Sequence, residues 1–154
     1  MSSIRNALQS LIFFATLTSV WGADPFVGTW KLNPDKTKVI AGLAPKEGRF
    51  TVTLEGDHYV ISEDDTFGDG THVATHYMQP VNGGIIKYDQ GGPPADVTEV
   101  VKKVNSTTRE HTRTRGGRVI FTAEVVVRKD ITMHVKGVNA RGGVFDRVEI
   151  WERQ

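Results

Sequence analysis

The chain contains 154 residues, with 19 lysines and arginines, 18 aspartates and glutamates, and no cysteine. This length suits a single domain. The near balance of charge lacks the basic excess that nucleic-acid binding normally requires, so we expect no nucleic-acid partner. The absence of cysteine excludes disulfides, thiolate catalysis and sulfur-ligated metals.

Residues 1–22 have the composition of a signal peptide, with Arg5 as the only charge and an apolar run of about 14 residues up to Val20. A membrane anchor is the alternative, but a spanning helix needs about 20 apolar residues. We therefore expect cleavage before Ala23 and a secreted or periplasmic domain over residues 23–154, without stable membrane insertion. Exported eukaryotic domains of this size often carry disulfides, so the missing cysteine favours a bacterial source.

Short runs typical of β-strands, separated by turns rich in glycine, asparagine, aspartate and proline, follow from Phe26 onward. Such a series predicts an antiparallel meander, closed into a barrel or folded as a sandwich. The longer connection over residues 34–48 is predicted to be either a lid or a surface loop. The predicted strands are residues 26–33, 49–55, 59–64, 71–79, 84–88, 97–104, 107–115, 119–128, 132–139 and 144–152.

The strand over residues 107–115 is the most polar of the series. Alternation places four basic side chains on one face and threonines, including Thr112, with Glu110 on the other. An inward basic face would form a cradle for an anion, since guanidinium groups match carboxylate and phosphate geometry. We favour the outward orientation, because several arginines inside a small barrel lose much hydration. The threonine face would then line the interior. The basic face comprises Arg109, His111, Arg113 and Arg115.

Other polar groups give no pattern for catalysis or metal binding. His72 and His76 share a strand face but would lie about 13 Å apart, too far to bind one ion. The acidic run Glu63–Asp65, with Asp69, is predicted to be a solvated turn. Nucleophile motifs and glycine-rich phosphate loops are missing from the sequence. We therefore predict no metal, no cofactor and no catalytic residue.

Two ends of the exported part resemble the calycin superfamily, which includes lipocalins and fatty-acid-binding proteins. The opening strand contains Gly28-Thr29-Trp30, and the last strand closes on Glu149-Ile150-Trp151-Glu152-Arg153. The leader together with Ala23–Asn33 is most similar to exported bacterial lipocalin-like proteins of unknown function. The resemblance implies an all-β, antiparallel up-and-down barrel of about 8–10 strands. It also implies that Trp30 plugs one end, with Gly28 permitting close approach and Arg147 or Arg153 stacked on the indole.

The resemblance implies that a small hydrophobic or amphipathic molecule binds inside the barrel without being transformed. Glu149 stands where lipid-binding members have an arginine that helps hold the carboxylate of the ligand. Because one carboxylate does not bind another, either the ligand is neutral or cationic, or a residue other than Glu149 binds its acidic group. Two alternatives stay open: a filled barrel acting as a structural or interaction protein, and a lyase or isomerase with Glu149 or His111 as general base. The oligomeric state is not predicted. The candidate interior residues are Tyr77, Arg109, His111, Thr112, Phe121, Glu149 and Trp151.

Overall fold

The computed structural model describes residues 22–154, which form β-strands joined by turns and contain no helix. Residues 1–21, nearly all of the predicted signal peptide, lie outside the described residues. In the described part no helix is of a length and hydropathy that could cross a membrane. The strands are β1 (Gly28–Leu32), β2 (Lys38–Ala41), β3 (Pro45–Glu55), β4 (His58–Phe67), β5 (His72–Pro80), β6 (Gly84–Ile85), β7 (Lys87–Gln90), β8 (Val97–Lys103), β9 (Thr108–Arg115), β10 (Arg118–Val127), β11 (Ile131–Val138) and β12 (Val144–Arg153).

All strand pairs are antiparallel, in the order β6-β8-β9-β10-β11-β12-β1-β3-β4-β5-β7. The segment Gly84–Gln90 closes this sheet almost completely, because its first part, β6, pairs with β8 and its second part, β7, pairs with β5. Only Ile86 separates the two parts. The predicted all-β, up-and-down barrel is thereby confirmed.

The strand count differs from the ten predicted at two places. The segment over residues 84–88 bends at Ile86 and counts as two strands, because each part follows a different edge of the sheet. The connection over residues 34–48 is neither wholly loop nor lid: β2 pairs with β12 at Val39 and Arg147, and β3 begins as early as Pro45. β2 therefore extends the wall where β1 has ended.

Alternating side chains of the strands supply a core at one end of the barrel. Trp30, Val127 and Trp151 are fully buried, and Phe50 packs edge-on against Trp151 with ring centroids 4.8 Å apart. This end of the barrel also carries four turns, those that follow β3, β5, β8 and β10. The opposite end carries the remaining connections, namely β1–β3, β4–β5, β7–β8, β9–β10 and β11–β12. We call the second the open end.

Trp30 plugs the core end as the resemblance implies. Its indole N–H donates to the Phe26 carbonyl at 3.0 Å. The Arg153 guanidinium lies 4.2 Å from the ring centroid and donates to the Val27 and Pro25 carbonyls. Gly28 has a φ of 146°, and a side chain there would collide with Arg153. Of the two arginines considered, Arg153 is therefore the one that stacks on the indole.

Candidate functional site

A cavity of about 300 Å³ lies inside the barrel between the core end and the open end. Its lining is apolar near the core, with Phe26, Val52, Ile61, Val125 and Ile131. Charged and hydroxyl groups line the middle and the open end, so the cavity has an apolar part and a polar part. A filled barrel would have no such space, and the cavity therefore counts against that alternative.

The basic face of β9 points inward, so the favoured outward orientation is wrong. Arg109 is 2% exposed and His111 is 9% exposed, and both line the cavity with Arg113. Thr112 lies on the outer wall beside Thr122 of β10 and does not line the cavity. The hydration that the arginines lose is offset by a buried carboxylate, backbone carbonyls and aromatic faces. The carboxylate is Glu99 on β8, which stands opposite Arg113.

Glu99 is the centre of a hydrogen-bonded cluster at the side of the cavity. Its carboxylate accepts from Arg113 Nε at 2.5 Å and from Tyr88 Oη at 2.6 Å, and it lies 3.1 Å from His111 Nδ1. Burial alone would raise the pKa of Glu99, but the hydrogen bond with His111 and the positive charge of Arg113 outweigh it and lower the pKa to about 2. Arg113 also lies over the Phe121 ring at 4.4 Å. The sequence did not identify Glu99 as a cavity residue, because a single glutamate in a valine-rich strand is expected to face solvent.

Arg109 differs from Arg113 because it forms no ion pair with a carboxylate of residues 22–154. Its Nη1 donates to the Asn105 and Thr108 carbonyls, and its guanidinium lies 4.6 Å from the centroid of Phe26. Its Nη2 is 3.4 Å from Tyr59 Oη, and its Nε has no partner. Tyr59 Oη in turn donates to Asp24 Oδ2 at 2.6 Å, so Arg109 has no direct counter-ion and a carboxylate reaches it only through the Tyr59 hydroxyl.

Glu149 points inward, as the register of the last strand implies. Arg147 Nε donates to one of its oxygens at 2.5 Å and the Trp151 indole N–H to the other at 3.0 Å. Arg147 also lies between two rings near the open end, 5.2 Å from Phe145 and 5.7 Å from Phe67. Trp151 itself packs in the core and does not line the cavity, which corrects its candidate role in the interior.

Glu63 and Asp65 of β4 also line the cavity, so the predicted solvated turn is wrong for both. The strand extends to Phe67, and alternation from Tyr59 and Ile61 brings both carboxyls inside. Burial, with the charge of Glu149, raises the pKa of Glu63 to about 7. Burial, with the neighbouring Glu63 and Glu149, raises the pKa of Asp65 to about 9. At neutral pH, Asp65 is therefore a neutral acid that can donate a hydrogen bond.

The remaining candidates are distributed between the cavity and the surface. Tyr77 and Phe121 line the cavity, and the Tyr77 ring is 4.9 Å from that of Tyr88. Burial raises the pKa of Tyr77 well above its usual value, so this phenol stays protonated. His72 and His76 each lie beside a different aspartate, Asp64 and Asp89. Across residues 22–154, no three histidine, aspartate or glutamate side chains are grouped as metal ligands.

This chain is similar in structure to a known β-barrel protein, although its sequence matches none. No family model matches the sequence, and no curated protein matches it. Among solved structures, the zebrafish ileal bile acid-binding protein complexed with cholic acid is similar to this chain, with a TM-score of 0.43 and 9% identity. The match covers 84% of this chain and 99% of that chain.

Proposed function

We propose that this protein binds a small amphipathic molecule non-covalently in the barrel cavity. The observation that carries the proposal is a cavity of about 300 Å³ with an apolar part and a polar part. This volume is at the lower end of the range of roughly 300–1,000 Å³ for small-molecule sites. Burial of the ligand's apolar body would supply affinity at about 25 cal/mol per Å², and polar side chains would orient its other end.

Arg109 supports a ligand with an acidic group. Its charge has no carboxylate partner among residues 22–154, and its Nε is unpartnered. A buried guanidinium without a direct counter-ion gains most from a bound carboxylate, sulfonate or phosphate. Arg113 and Arg147 are already paired with Glu99 and Glu149 and are less available. Arg109 would therefore take the anion-binding role for which Glu149 is unsuited.

A second candidate function is general acid–base chemistry in the same cavity. The observation that favours it is the raised pKa of Glu63, about 7, inside the barrel and beside a second carboxyl. A general base works best with a pKa near the working pH. This lyase or isomerase alternative would use Glu63, rather than Glu149 or His111, as its base. It predicts an activity that falls with pH below about 7 in wild type and that Glu63→Gln largely abolishes, together with this pH dependence.

Export also belongs to the proposal. The apolar run and the small residues before Ala23 support cleavage there and a secreted or periplasmic, bacterial, lipocalin-like protein. N-terminal sequencing of protein recovered from an exporting bacterial host tests this point. A first residue other than Ala23, or retention of the chain in the membrane fraction, would contradict it.

Two fluorescent probes test the binding proposal. N-phenyl-1-naphthylamine is apolar and neutral, whereas 1-anilinonaphthalene-8-sulfonate carries the same rings with one sulfonate. We expect both to bind with saturable emission, and Arg109→Met to weaken the sulfonate about tenfold or more but the neutral probe little, since a charge-assisted hydrogen bond contributes about 1.5–3 kcal/mol. Equal losses for both probes would contradict the role of Arg109.

A filled-cavity variant tests where the probes bind. Ala123 lines the cavity and is 5% exposed, whereas Thr122 precedes it on the outer wall. Ala123→Phe should abolish binding of both probes, and the matched control Thr122→Phe should leave it unchanged. Unfolding curves of both variants establish that they are folded. Binding that survives in a folded Ala123→Phe protein would refute the cavity as the site.

A further inference from the structure

One nitrogen of the buried His111 ring has no hydrogen-bond partner among residues 22–154. The residue is 9% exposed and lines the cavity. Its Nδ1 lies 3.1 Å from Glu99 Oε1, and this contact is the only hydrogen bond of the ring in the described part of the chain. Buried polar side-chain atoms are, in the large majority of cases, bonded to protein or to ordered water. The second nitrogen, Nε2, is therefore a position at which a ligand group can bond.

The contact with Glu99 determines the hydrogen-bonding role of this second nitrogen. The other Glu99 oxygen, Oε2, accepts from Arg113 Nε and from Tyr88 Oη. Because the ion pair with Arg113 keeps Glu99 ionised, Oε1 carries no proton, and His111 Nδ1 must donate to it. A neutral imidazole has one donor nitrogen and one acceptor nitrogen. With the proton on Nδ1, the neutral ring offers Nε2 as an acceptor.

Arg109 lies two residues before His111 on the same inward face of β9. Two residues of a strand span about 7 Å, so one small molecule can contact both side chains. Their roles are complementary within residues 22–154, since Arg109 Nε is a donor without a partner and His111 Nε2 is an acceptor without a partner. The pair therefore offers an anion contact and, beside it, a contact for a group that donates a hydrogen bond.

An unpaired acceptor inside a cavity discriminates between ligands. An ether or ketone oxygen only accepts and leaves Nε2 unbonded, whereas a hydroxyl or N–H group donates to it. A site that is arranged to bond a ligand hydroxyl disfavours the analogue that lacks it, because the protein group then stays buried without a partner.

We propose that His111 Nε2 accepts a hydrogen bond from a hydroxyl or N–H group of the ligand while Arg109 holds its acidic group. The inference rests on the proposed function for the acidic group, and it narrows the ligand to an amphipathic acid with a hydrogen-bond donor near the acid. Glu99 is a positioning residue in this site, because its bond with Nδ1 fixes the orientation and the tautomer of the ring. His111 binds the ligand here and transfers no proton.

Rigid naphthalenesulfonates test the proposal, because the sulfonate provides the acidic group and the rings fix the distance to a hydroxyl. The hydroxyl probes are 4-hydroxynaphthalene-1-sulfonate, 5-hydroxynaphthalene-1-sulfonate and 6-hydroxynaphthalene-2-sulfonate. Each is compared with the sulfonate that lacks the hydroxyl and with its methyl ether, which cannot donate. Competition with 1-anilinonaphthalene-8-sulfonate at about pH 8, above the range in which imidazole ordinarily titrates, gives the dissociation constants. At least one hydroxyl probe should bind wild type about fivefold more tightly than both of its analogues.

Two substitutions at His111 test which group recognises the hydroxyl. Asparagine retains an N–H near the position of Nδ1 but has no atom at Nε2, and phenylalanine retains the ring shape without any polar atom. His111→Asn and His111→Phe should each remove the roughly fivefold preference for the hydroxyl probe. The matched control is His134→Asn, because His134 also lies beside a carboxylate, that of Asp146, but on the outer wall. Its preference should equal that of wild type, and unfolding curves establish that each variant is folded.

The proposal is overturned if wild type prefers no hydroxyl probe, a result that needs no variant. It is also overturned if a methyl ether binds as tightly as its hydroxyl probe, or if a folded His111→Asn or His111→Phe protein keeps the preference. Wild type that binds neither 1-anilinonaphthalene-8-sulfonate nor N-phenyl-1-naphthylamine contradicts the proposed function itself. Probes that bind without a preference for the hydroxyl refute only the role of His111, so the two failures are distinguishable.

Discussion

Replacement of Asp65 by asparagine should remove a pH-dependent loss of stability. Burial beside Glu63 and Glu149 raises the pKa of Asp65 to about 9 in the folded protein, whereas the group ionises near pH 4 in the unfolded chain. Between these values the folded state holds a proton that the unfolded state has lost. The free energy of unfolding therefore falls as pH rises through this window. Asparagine has the shape of the protonated acid and titrates in neither state.

The size of the effect follows from the linkage relation. Each pH unit within the window corresponds to about 1.4 kcal/mol of stability for one group. Asp65→Asn should therefore gain about 3 kcal/mol relative to wild type between pH 5 and pH 7. Near pH 3 the two proteins should be about equally stable, because Asp65 is then protonated in both states. Asparagine has nearly the volume of the protonated acid, so it fits the space beside Gly48 that the Asp65 carboxyl occupies.

Urea unfolding followed by tryptophan fluorescence at several pH values measures this difference. The matched control is Asp64→Asn, whose side chain lies on the exposed face of the same strand beside His72. The control should follow the pH dependence of wild type. Parallel curves for wild type and Asp65→Asn would refute the reasoning, and so would a variant less stable than wild type at pH 7.

Three further substitutions test contacts that define the barrel. Glu99→Gln should cost about 3–5 kcal/mol at neutral pH, because it leaves Arg113 buried without its counter-ion, whereas the exposed Glu110→Gln should cost less than 1 kcal/mol. Glu99 contributes this stability above its unfolded pKa and loses it as pH falls towards 2, so the two unfolding curves should converge in acid. Gly91→Ala should lower the free energy of unfolding by roughly 2 kcal/mol more than Gly56→Ala, as measured by thermal unfolding. Both glycines have φ near 60°, so the backbone strain is similar, but only at Gly91 would the new methyl group collide with a carbonyl oxygen, that of Ala74. Arg153→Gln should lower the free energy of unfolding by about 1 kcal/mol in the same measurement, because the contacts with the Trp30 ring and two carbonyls are lost. An unchanged midpoint of thermal unfolding would contradict a stabilising role for Arg153.

The strands could be predicted from the sequence because each one has a local pattern, whereas closure into a barrel was implied only by the resemblance to calycins. Alternation in β10 and the turns between strands identify each strand, and the resemblance at Gly28 and Trp30 implied which end is plugged. β2 escaped prediction because four residues on a strand edge have no alternating pattern of their own. The bend at Ile86 escaped because it depends on which edge each half follows, which only the closed sheet defines.

The cavity was less predictable, because the direction of a strand face depends on its partners. Arg109 and Arg113 seemed too costly to bury when β9 was considered alone. The structure places Glu99 opposite Arg113 in the β8–β9 hairpin, and it places Phe26, far away in sequence, beneath Arg109. The inward direction of Glu63 and Asp65 could have been found from alternation, had Tyr59 and Ile61 been taken as the core face of a longer β4.

Native mass spectrometry of the protein, recovered gently from an exporting bacterial host, tests the central claim most directly. The account predicts a stoichiometric extra mass of a small molecule that is lost on denaturation and is missing from folded Ala123→Phe. Thr122→Phe should retain it. A bare polypeptide mass that persists after incubation with a lipid extract and with both naphthyl probes would contradict the claim that this barrel holds a ligand.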